Sequence, residues 1–442
     1  MVAWTAREVA DAVRGRLVGD PTTAISTVST DTRTIAPTAC FVAIEGERFN
    51  GHDFVAAAFD SGAALAVVSD ASIAAGLGTH VVVANTGAAL RDLASHRRSQ
   101  LTMPVVAVTG SSGKTSTKDL LAASLPGAVA SERSFNNEVG VPLTVLAAPS
   151  DAEHLVLEVG SRGTGHIAWL MPAIRPDVAV ITNLGVVHLE TFGTIEALAD
   201  AKWELVEGLG PLGTAVVPVD DSRLHRSHRG ATLTFGAAPH ADVSIAGLEL
   251  DSTGRPSFTI HTPAGQAAVQ LRVSGEHQAY NAAAAIAAGT ALGVDLGRLV
   301  EGLAGAAASP WRMEIHQGRY TVVNDAYNAN PDSVLAALKT VAAMPGRHIA
   351  VLGKMAELGP IEVEEHRRMG AEAERLGFYA VVVVGDDPGI ADGAGSIATV
   401  TSCDEALSTV TGLIRPGDVV LVKASRSVGL EKLADRLVDL GR

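Results

Sequence analysis

The sequence predicts an α/β protein of three domains: a small N-terminal α/β domain over residues 1–102, a central parallel-sheet domain over 103–309 and a doubly wound C-terminal domain over 310–442. Three observations predict this. The 442 residues exceed what one core serves, since domains run to roughly 150 residues. Short apolar runs alternate with segments of helical periodicity along nearly the whole chain, the pattern of strands covered by helices. Pro104, and then Pro310 with Trp311, interrupt that alternation.

Composition narrows the function classes. Hydrophobic residues at 47% against 19% charged describe a chain that buries large cores, so disorder is not expected. A formal net charge of −14 without a basic, aromatic-studded cluster argues against nucleic acid. Cys40 and Cys403 make no disulfide framework, which fits a reducing compartment. The opening MVAWTAREVADAVRGR lacks a basic start followed by an apolar core, so no signal peptide is expected. The apolar stretch beginning at residue 282 is too short and broken to span a bilayer. A cytoplasmic protein that inserts in no membrane is the expectation, and a monomer.

In the N-terminal domain, residues 3–18 show helical periodicity, followed to residue 101 by β-like runs (CFVAI, LAVVS, HVVVA) alternating with helical ones. Thr30, Asp31, Thr32 and Arg33, and then EGERFNGHDF, fall between strands, where a binding loop would sit. An ordinary turn with a helix capped at Asp53 is the reading the residues alone favour.

The central domain opens on VVAVTGSSGKTSTKDLL, residues 105–121. An apolar strand breaks into Gly110, Ser111, Ser112 and Gly113 and re-enters a helix through Lys114, Thr115 and Ser116. Such a turn aims backbone N–H groups and a helix N-terminus at one spot, a cradle for phosphates. The lysine suits the outer phosphates and the threonine hydroxyl suits Mg²⁺. Val108 stands where the usual phosphate-loop pattern has a further glycine, so this is a shortened form; ATP is the nucleotide expected.

Strands are expected near 105–109, 154–159 and 178–183. Glu158 ends the run HLVLEVG, where a carboxylate is costly unless it lies at the open C-terminal edge of the sheet or holds a cation. His188 follows the next strand by a short loop. Lys202 recurs with Ile195, Leu198, Leu205 and Leu209 on one helix face. It is either a snorkelling lysine or a partly desolvated amine of lowered pKa, able to take up CO₂ as a carbamate that ligates magnesium. Periodicity leaves both open. Residues 214–273 are expected to be scaffold, and Asn281 is either a helix-surface amide or a nucleobase contact.

Beyond Trp311, the runs YTVVND, HIAVLG, YAVVVVGD and DVVLVKAS read as buried strands between helices. In NDAYNANPDS, Asn330 and Pro331 suit a helix cap and first turn. Asp325, Tyr327 and Asn328 remain unexplained by that.

Together, TGSSGKT, Glu158, His188, Lys202, Asn281, Arg312 and NDAYNANPDS resemble the Mur ligase family, ATP-dependent amide-forming enzymes of peptidoglycan assembly. The resemblance covers nearly the whole chain. DAYNANPDS and GKMAELG resemble its F-type branch, which joins D-alanyl-D-alanine to a UDP-N-acetylmuramoyl-tripeptide whose third residue is lysine or diaminopimelate. The diamino-acid-adding relatives carry an Asp-Asn-Pro-Arg signature, and the nearest run here is Asp386-Asp387-Pro388-Gly389.

The resemblance implies a P-loop ATPase-like central domain and a Rossmann-like C-terminal one. It implies that Lys114 and the loop amides hold ATP phosphates, that Thr115 and Glu158 hold one Mg²⁺, and that His188 and carbamylated Lys202 serve a second. Asn281 would meet adenine, Arg312 the γ-phosphate and Asp325 the ribose, with Tyr327 and Asn328 beside them. Asn136 and Asn137 match a loop near the phosphates and sugar nucleotide. Thr30 to Arg33, with Gly51, His52 and Asp53, resemble a uridine-nucleotide site, and Ser425 and Arg426 are candidate dipeptide ligands. Asn50, Ala39, His166 and Ala424 depart from the family's usual residues. A diamino-acid-adding ligase, a folate-polyglutamylating ligase and a non-catalytic nucleotide-binding regulator are the alternatives.

Overall fold

In a computed structural model that describes residues 2–46, 49–132, 134–185, 189–394 and 397–442, Trp4–Thr5 and Ala24–Ile25 form a two-stranded antiparallel pair, and three larger sheets, each parallel in its interior, follow one another along the chain. The first has the order Arg16–Val18, His80–Val82, Leu65–Val68, Ala39–Val42, Thr27–Ser29, with only the first pair antiparallel. The single helix expected over 3–18 is instead a helix Ala6–Ala12 between strands Trp4–Thr5 and Arg16–Val18. Thr5 and Glu8 form a capping box at its start. Arg14, at φ 53, turns the chain out at its end. Periodicity ran on because strand and helix happened to bury residues at compatible spacing.

The central sheet has nine strands. Its order is Gly265–Gln270, Pro256–Thr262, Val243–Leu250, Ala231–Gly236, Thr214–Pro218, Val178–Ile181, Val105–Thr109, His154–Glu158, Ala128–Ala130. It is parallel from Ala128–Ala130 as far as Val243–Leu250, and the last two strands run antiparallel. Every residue of Val105–Thr109 is buried, as a strand covered on both faces requires. Its neighbours set Glu158 opposite Val108 and Ile181 opposite Thr109, so three strand ends and the loops beyond them share one edge.

Helix Thr86–Gln100 joins the first two sheets. Its buried Ala89, Leu90, Leu93 and Ala94 share a core with Val141 and Val145 of helix Gly140–Ala147 and with Ile167 and Leu170 of helix His166–Ile174. The N-terminal and central sheets thus stand on one continuous apolar core.

The third sheet runs Glu314–Gln317, Thr321–Asn324, Val419–Lys423, His348–Gly353, Ala380–Val384, Ile397–Val400, parallel except for its first strand. Asn330 caps helix Pro331–Ala342 as the sequence predicts: its Oδ1 accepts from Ser333 N at 2.9 Å, and Ser333 Oγ accepts from Asn330 N at 3.0 Å. The Asp386 to Gly389 run is also a helix entry, Asp387 accepting the N–H groups of Gly389, Ile390 and Ala391. Among the described residues no helix is long and apolar enough to cross a membrane.

The shared core has a consequence for unfolding. Leu93→Ala should cost about 2–5 kcal/mol of stability. In single-tryptophan variants retaining Trp4 or Trp203, the urea midpoint should fall for both reporters together, and a shift confined to Trp4 would contradict the continuous core.

Candidate active site

The edge where the central strands end faces the third sheet across a cleft of about 760 Å³. The glycine turn forms one wall. Gly110 (φ 147) and Gly113 (φ 77) adopt backbone conformations that favour glycine, and a Cβ on either would run into Thr182 or Asn281 respectively. Ser112 N–H donates to Asn183 Oδ1 at 2.9 Å, and Thr182 Oγ1 donates to Ser112 O at 2.6 Å, which pins the turn to the end of the neighbouring strand. The turn opens directly into helix Lys114–Ser124, with Thr115 buried in its first turn and Ser116 lining the cleft. Lys114 Nζ folds over its own loop, donating to Gly110 O at 2.8 Å and Ser111 O at 3.2 Å.

Glu158 is 1% exposed. Its Oε1 accepts from Asn136 Nδ2 at 2.7 Å, while Oε2 is buried with no partner among the described residues. A carboxylate oxygen left so is expensive unless a cation meets it. Glu158 and the Thr115 hydroxyl are hard oxygen donors of the kind Mg²⁺ prefers, so the residues present fit such an ion. Among the described residues no group of three His, Cys, Asp or Glu has metal-binding geometry. His188 lies outside the described residues, so the second set suggested by the resemblance is represented here by Lys202.

Lys202 is 2% exposed on helix Ile195–Glu207, which rules out snorkelling. It lines the same cleft as Lys114 and has no hydrogen-bond or ion-pair partner among the described residues. Burial first, and the Lys114 charge second, push its pKa well below the ordinary lysine value. Burial also lowers the Lys114 pKa, with Glu158 opposing and Arg312 adding to the shift.

The third sheet contributes the facing wall. Arg312 Nη2 donates to Thr115 Oγ1 at 2.8 Å, and its guanidinium lies 4.1 Å from the Tyr327 ring centroid. Asp325, the residue matched to the ribose, receives Met313 N–H at 3.1 Å and pairs with buried Lys423 at 2.5 Å. Lys423 Nζ also donates to Asn328 O at 2.9 Å. Asn281 is buried, taking the Thr117 hydroxyl at 3.3 Å and donating to Gln278 at 3.0 Å, rather than standing on a helix surface.

Other candidates sit differently. Asn137 lines the cleft, but its Oδ1 accepts Gly140 N–H at 2.8 Å at the entry of a helix. Ser425 is buried, its hydroxyl accepting Ala356 N–H at 2.8 Å, whereas Arg426 reaches the cleft while pairing with Glu431 at 3.1 Å. Thr30 to Arg33 and Gly51 to Asp53 do not line it. Arg33 closes a turn on Asp31 at 2.6 Å and, with its hydrogen bonds, holds that carboxyl down at about 2. His52 is buried: its Nε2 accepts Ser69 N–H at 2.9 Å, which leaves the hydrogen on Nδ1 to donate to Asn50 Oδ1 at 2.8 Å. The cap of the short helix Gly51–Phe54 is Asn50, not Asp53 as the turn reading has it.

Sequence reasoning missed Thr182, Asn183, His277 and Lys423, and took the strand end at Pro218 and Asp220 for scaffold although both line the cleft. The rule that singled out Glu158, a charge closing an apolar strand, applies equally to Lys423 at the end of VVLVK. His277 is pushed down to about 4, by burial first and by Lys423, against the pull of Asp325.

Residues 24–98 match the family described as "Mur ligase family, catalytic domain", 108–289 the "Mur ligase middle domain" and 311–426 the "Mur ligase, glutamate ligase domain". The chain is 36% identical to a UDP-N-acetylmuramoyl-tripeptide--D-alanyl-D-alanine ligase of Mycobacterium leprae, over 100% of this chain and 99% of the relative. A solved UDP-N-acetylmuramoylalanyl-D-glutamyl-2,6-diaminopimelate--D-alanyl-D-alanyl ligase from Acinetobacter baumannii is 31% identical, with a TM-score of 0.90 and 99% of each chain covered. A MurF ligase from Thermotoga maritima, solved with ADP, is 28% identical with a TM-score of 0.85, covering 93% of this chain and 97% of the other.

A buried amine with a lowered pKa leaves a sign in stability. The unfolded chain binds more protons than the folded one between the depressed value and the ordinary lysine value, so stability should climb with pH across that window. In CO₂-free buffer, Lys202→Met should raise the urea midpoint at neutral pH and lose that advantage as pH approaches 10. A pH-independent difference would mean the amine is not desolvated.

Proposed function

The chain belongs to the Mur ligase family, and from that premise we propose how its cleft works as an ATP-dependent ligase joining D-alanyl-D-alanine to UDP-N-acetylmuramoyl-tripeptide in peptidoglycan synthesis. The observation that carries the reading is the convergence, in one cleft, of the glycine turn, the unpartnered Glu158 oxygen, the Lys202 amine and cationic residues of the third sheet.

Amide formation from a carboxylate needs one oxygen made into a leaving group. The γ-phosphoryl of ATP passes to the terminal carboxylate of the tripeptide, releasing ADP and giving an acyl phosphate. The dipeptide amine attacks the acyl carbon, the tetrahedral adduct expels phosphate, and the nitrogen gives up its proton. In this scheme Gly110 to Ser116 cradle the phosphates and Lys114 turns from its loop carbonyls to them. Arg312 meets the γ-phosphate, Asn281 the adenine, and Asp325 with Tyr327 and Asn328 the ribose side. Thr115 and Glu158 would hold one Mg²⁺, with His188 and carbamylated Lys202 serving a second. Such ions would offset the repulsion between triphosphate and carboxylate. Asn136 and Asn137 border the sugar nucleotide, Thr30 to Arg33 and Gly51 to Asp53 receive the uridine end, and Ser425 and Arg426 face the dipeptide. Since the cleft spans two sheets, closure of the third sheet precedes chemistry. We assign the enzyme to the cytoplasm as a monomer.

The direct test is to incubate the protein with ATP, Mg²⁺, UDP-N-acetylmuramoyl-tripeptide and D-alanyl-D-alanine and identify the product by mass. The pentapeptide nucleotide with matched phosphate release is expected, and phosphate release only with a diamino acid or glutamate as amine donor would overturn the reading. Lys114→Ala should lower kcat/KM by at least about 10²-fold with the fold intact by circular dichroism; retained turnover refutes its phosphate role. Lys202→Ala should be inactive and partly restored by a small carboxylic acid, and full activity without rescue removes the carbamate.

A further inference from the structure

Between Glu158 and helix His166–Ile174 runs a loop, residues 160–165, that the scheme above does not use. It is fixed at both ends. Gly160 N–H donates to Asn136 O at 2.7 Å, and the Glu204 carboxylate accepts the N–H of Gly165 and, at 2.9 Å, that of Ala168. In the loop's middle, Arg162 is exposed, lines the cleft, and has no hydrogen-bond or ion-pair partner for its guanidinium among the described residues.

Beside it lies an acid. Arg162 N–H donates to His166 Nδ1 at 3.1 Å, which leaves the ring hydrogen on Nε2. That atom lies 2.8 Å from Glu138 Oε1. Glu138 remains 37% exposed. His166 first, then the backbone and Arg162, outweigh burial and hold its carboxyl at about 2, so it is ionised at any working pH. A guanidinium with no partner among the described residues and an ionised carboxylate thus flank His166, Arg162 in the loop after Glu158 and Glu138 next to Asn137.

This pairing suits a group carrying both charges on one carbon. Resting on the ligase reading, we propose that Arg162 and Glu138 form the subsite for the distal amino-acid head of a diaminopimelate third residue, Arg162 taking its carboxylate and Glu138 its ammonium. The peptide's glutamyl carboxylate has no ammonium beside it and would leave Glu138 unmatched. Lysine has the same ammonium without the carboxylate, so only Arg162 distinguishes the two peptides. An Arg–carboxylate pair is bidentate and directional, which gives the preference.

The test compares kcat/KM for UDP-N-acetylmuramoyl-tripeptides ending in diaminopimelate or in lysine. The wild type should favour diaminopimelate by about tenfold to a hundredfold, mostly through KM. Arg162→Gln should bring the ratio close to one, Arg162→Lys should restore part of it, and Glu138→Gln should weaken both peptides while leaving the ratio in place. A ratio that Arg162→Gln does not change, whether both peptides fall together or neither does, overturns the subsite while the ligase reading stands. Absence of phosphate release from the wild type with either peptide would bring down both.

Discussion

Two lysine amines line one cleft, and the rest of the site follows from that. Lys114 and Lys202 each suffer burial, and Lys114 also depresses Lys202 electrostatically. Against them stands Glu158, with one oxygen engaged by Asn136 and the other without a partner among the described residues. Such a cluster is not a stable end in itself, because buried charges cost more than they return unless matched. It becomes favourable when a polyanion and a divalent ion enter, or when an amine becomes a carbamate. A site built this way is complementary to a triphosphate meeting a carboxylate, two anions that water alone would keep apart.

The architecture explains why the cleft can both hold and release its contents. The first two sheets are tied by a continuous core around helix Thr86–Gln100. The third sheet has two cores of its own, and Arg312, just ahead of it, reaches the helix that follows the glycine turn through a polar contact with Thr115. Between them Trp311 and Met313 have positive φ without being glycine. Polar contacts across a strained linker are exchangeable with ligand groups, whereas a merged apolar core is not.

Much of this was legible from local chemistry. The strand, glycine turn and helix at 105–121 are a short-range pattern, and the structure realises them as Val105–Thr109 and Lys114–Ser124. Glu158 stands out because a carboxylate closing an apolar strand needs a reason, Lys202 because it falls on an apolar helix face, and the Asn330 cap because Pro331 follows it. What stayed hidden depends on distant partners. Arg312 and Thr115 are 197 positions apart, and Lys423 gains its meaning from Asp325 across a sheet. The N-terminal helix was overextended because spacing cannot register that Arg14 leaves helical geometry. The antiparallel strands that edge the second and third sheets carry no period that marks their direction.

The account turns on the state of the Lys202 amine in the folded protein. ¹³C NMR of the protein equilibrated with ¹³C-labelled bicarbonate reads it directly. A carbamate carbonyl resonance that is present in the wild type and missing from Lys202→Met is the predicted result. A wild-type spectrum without that resonance, at a pH where the protein is folded and binds nucleotide, would contradict it.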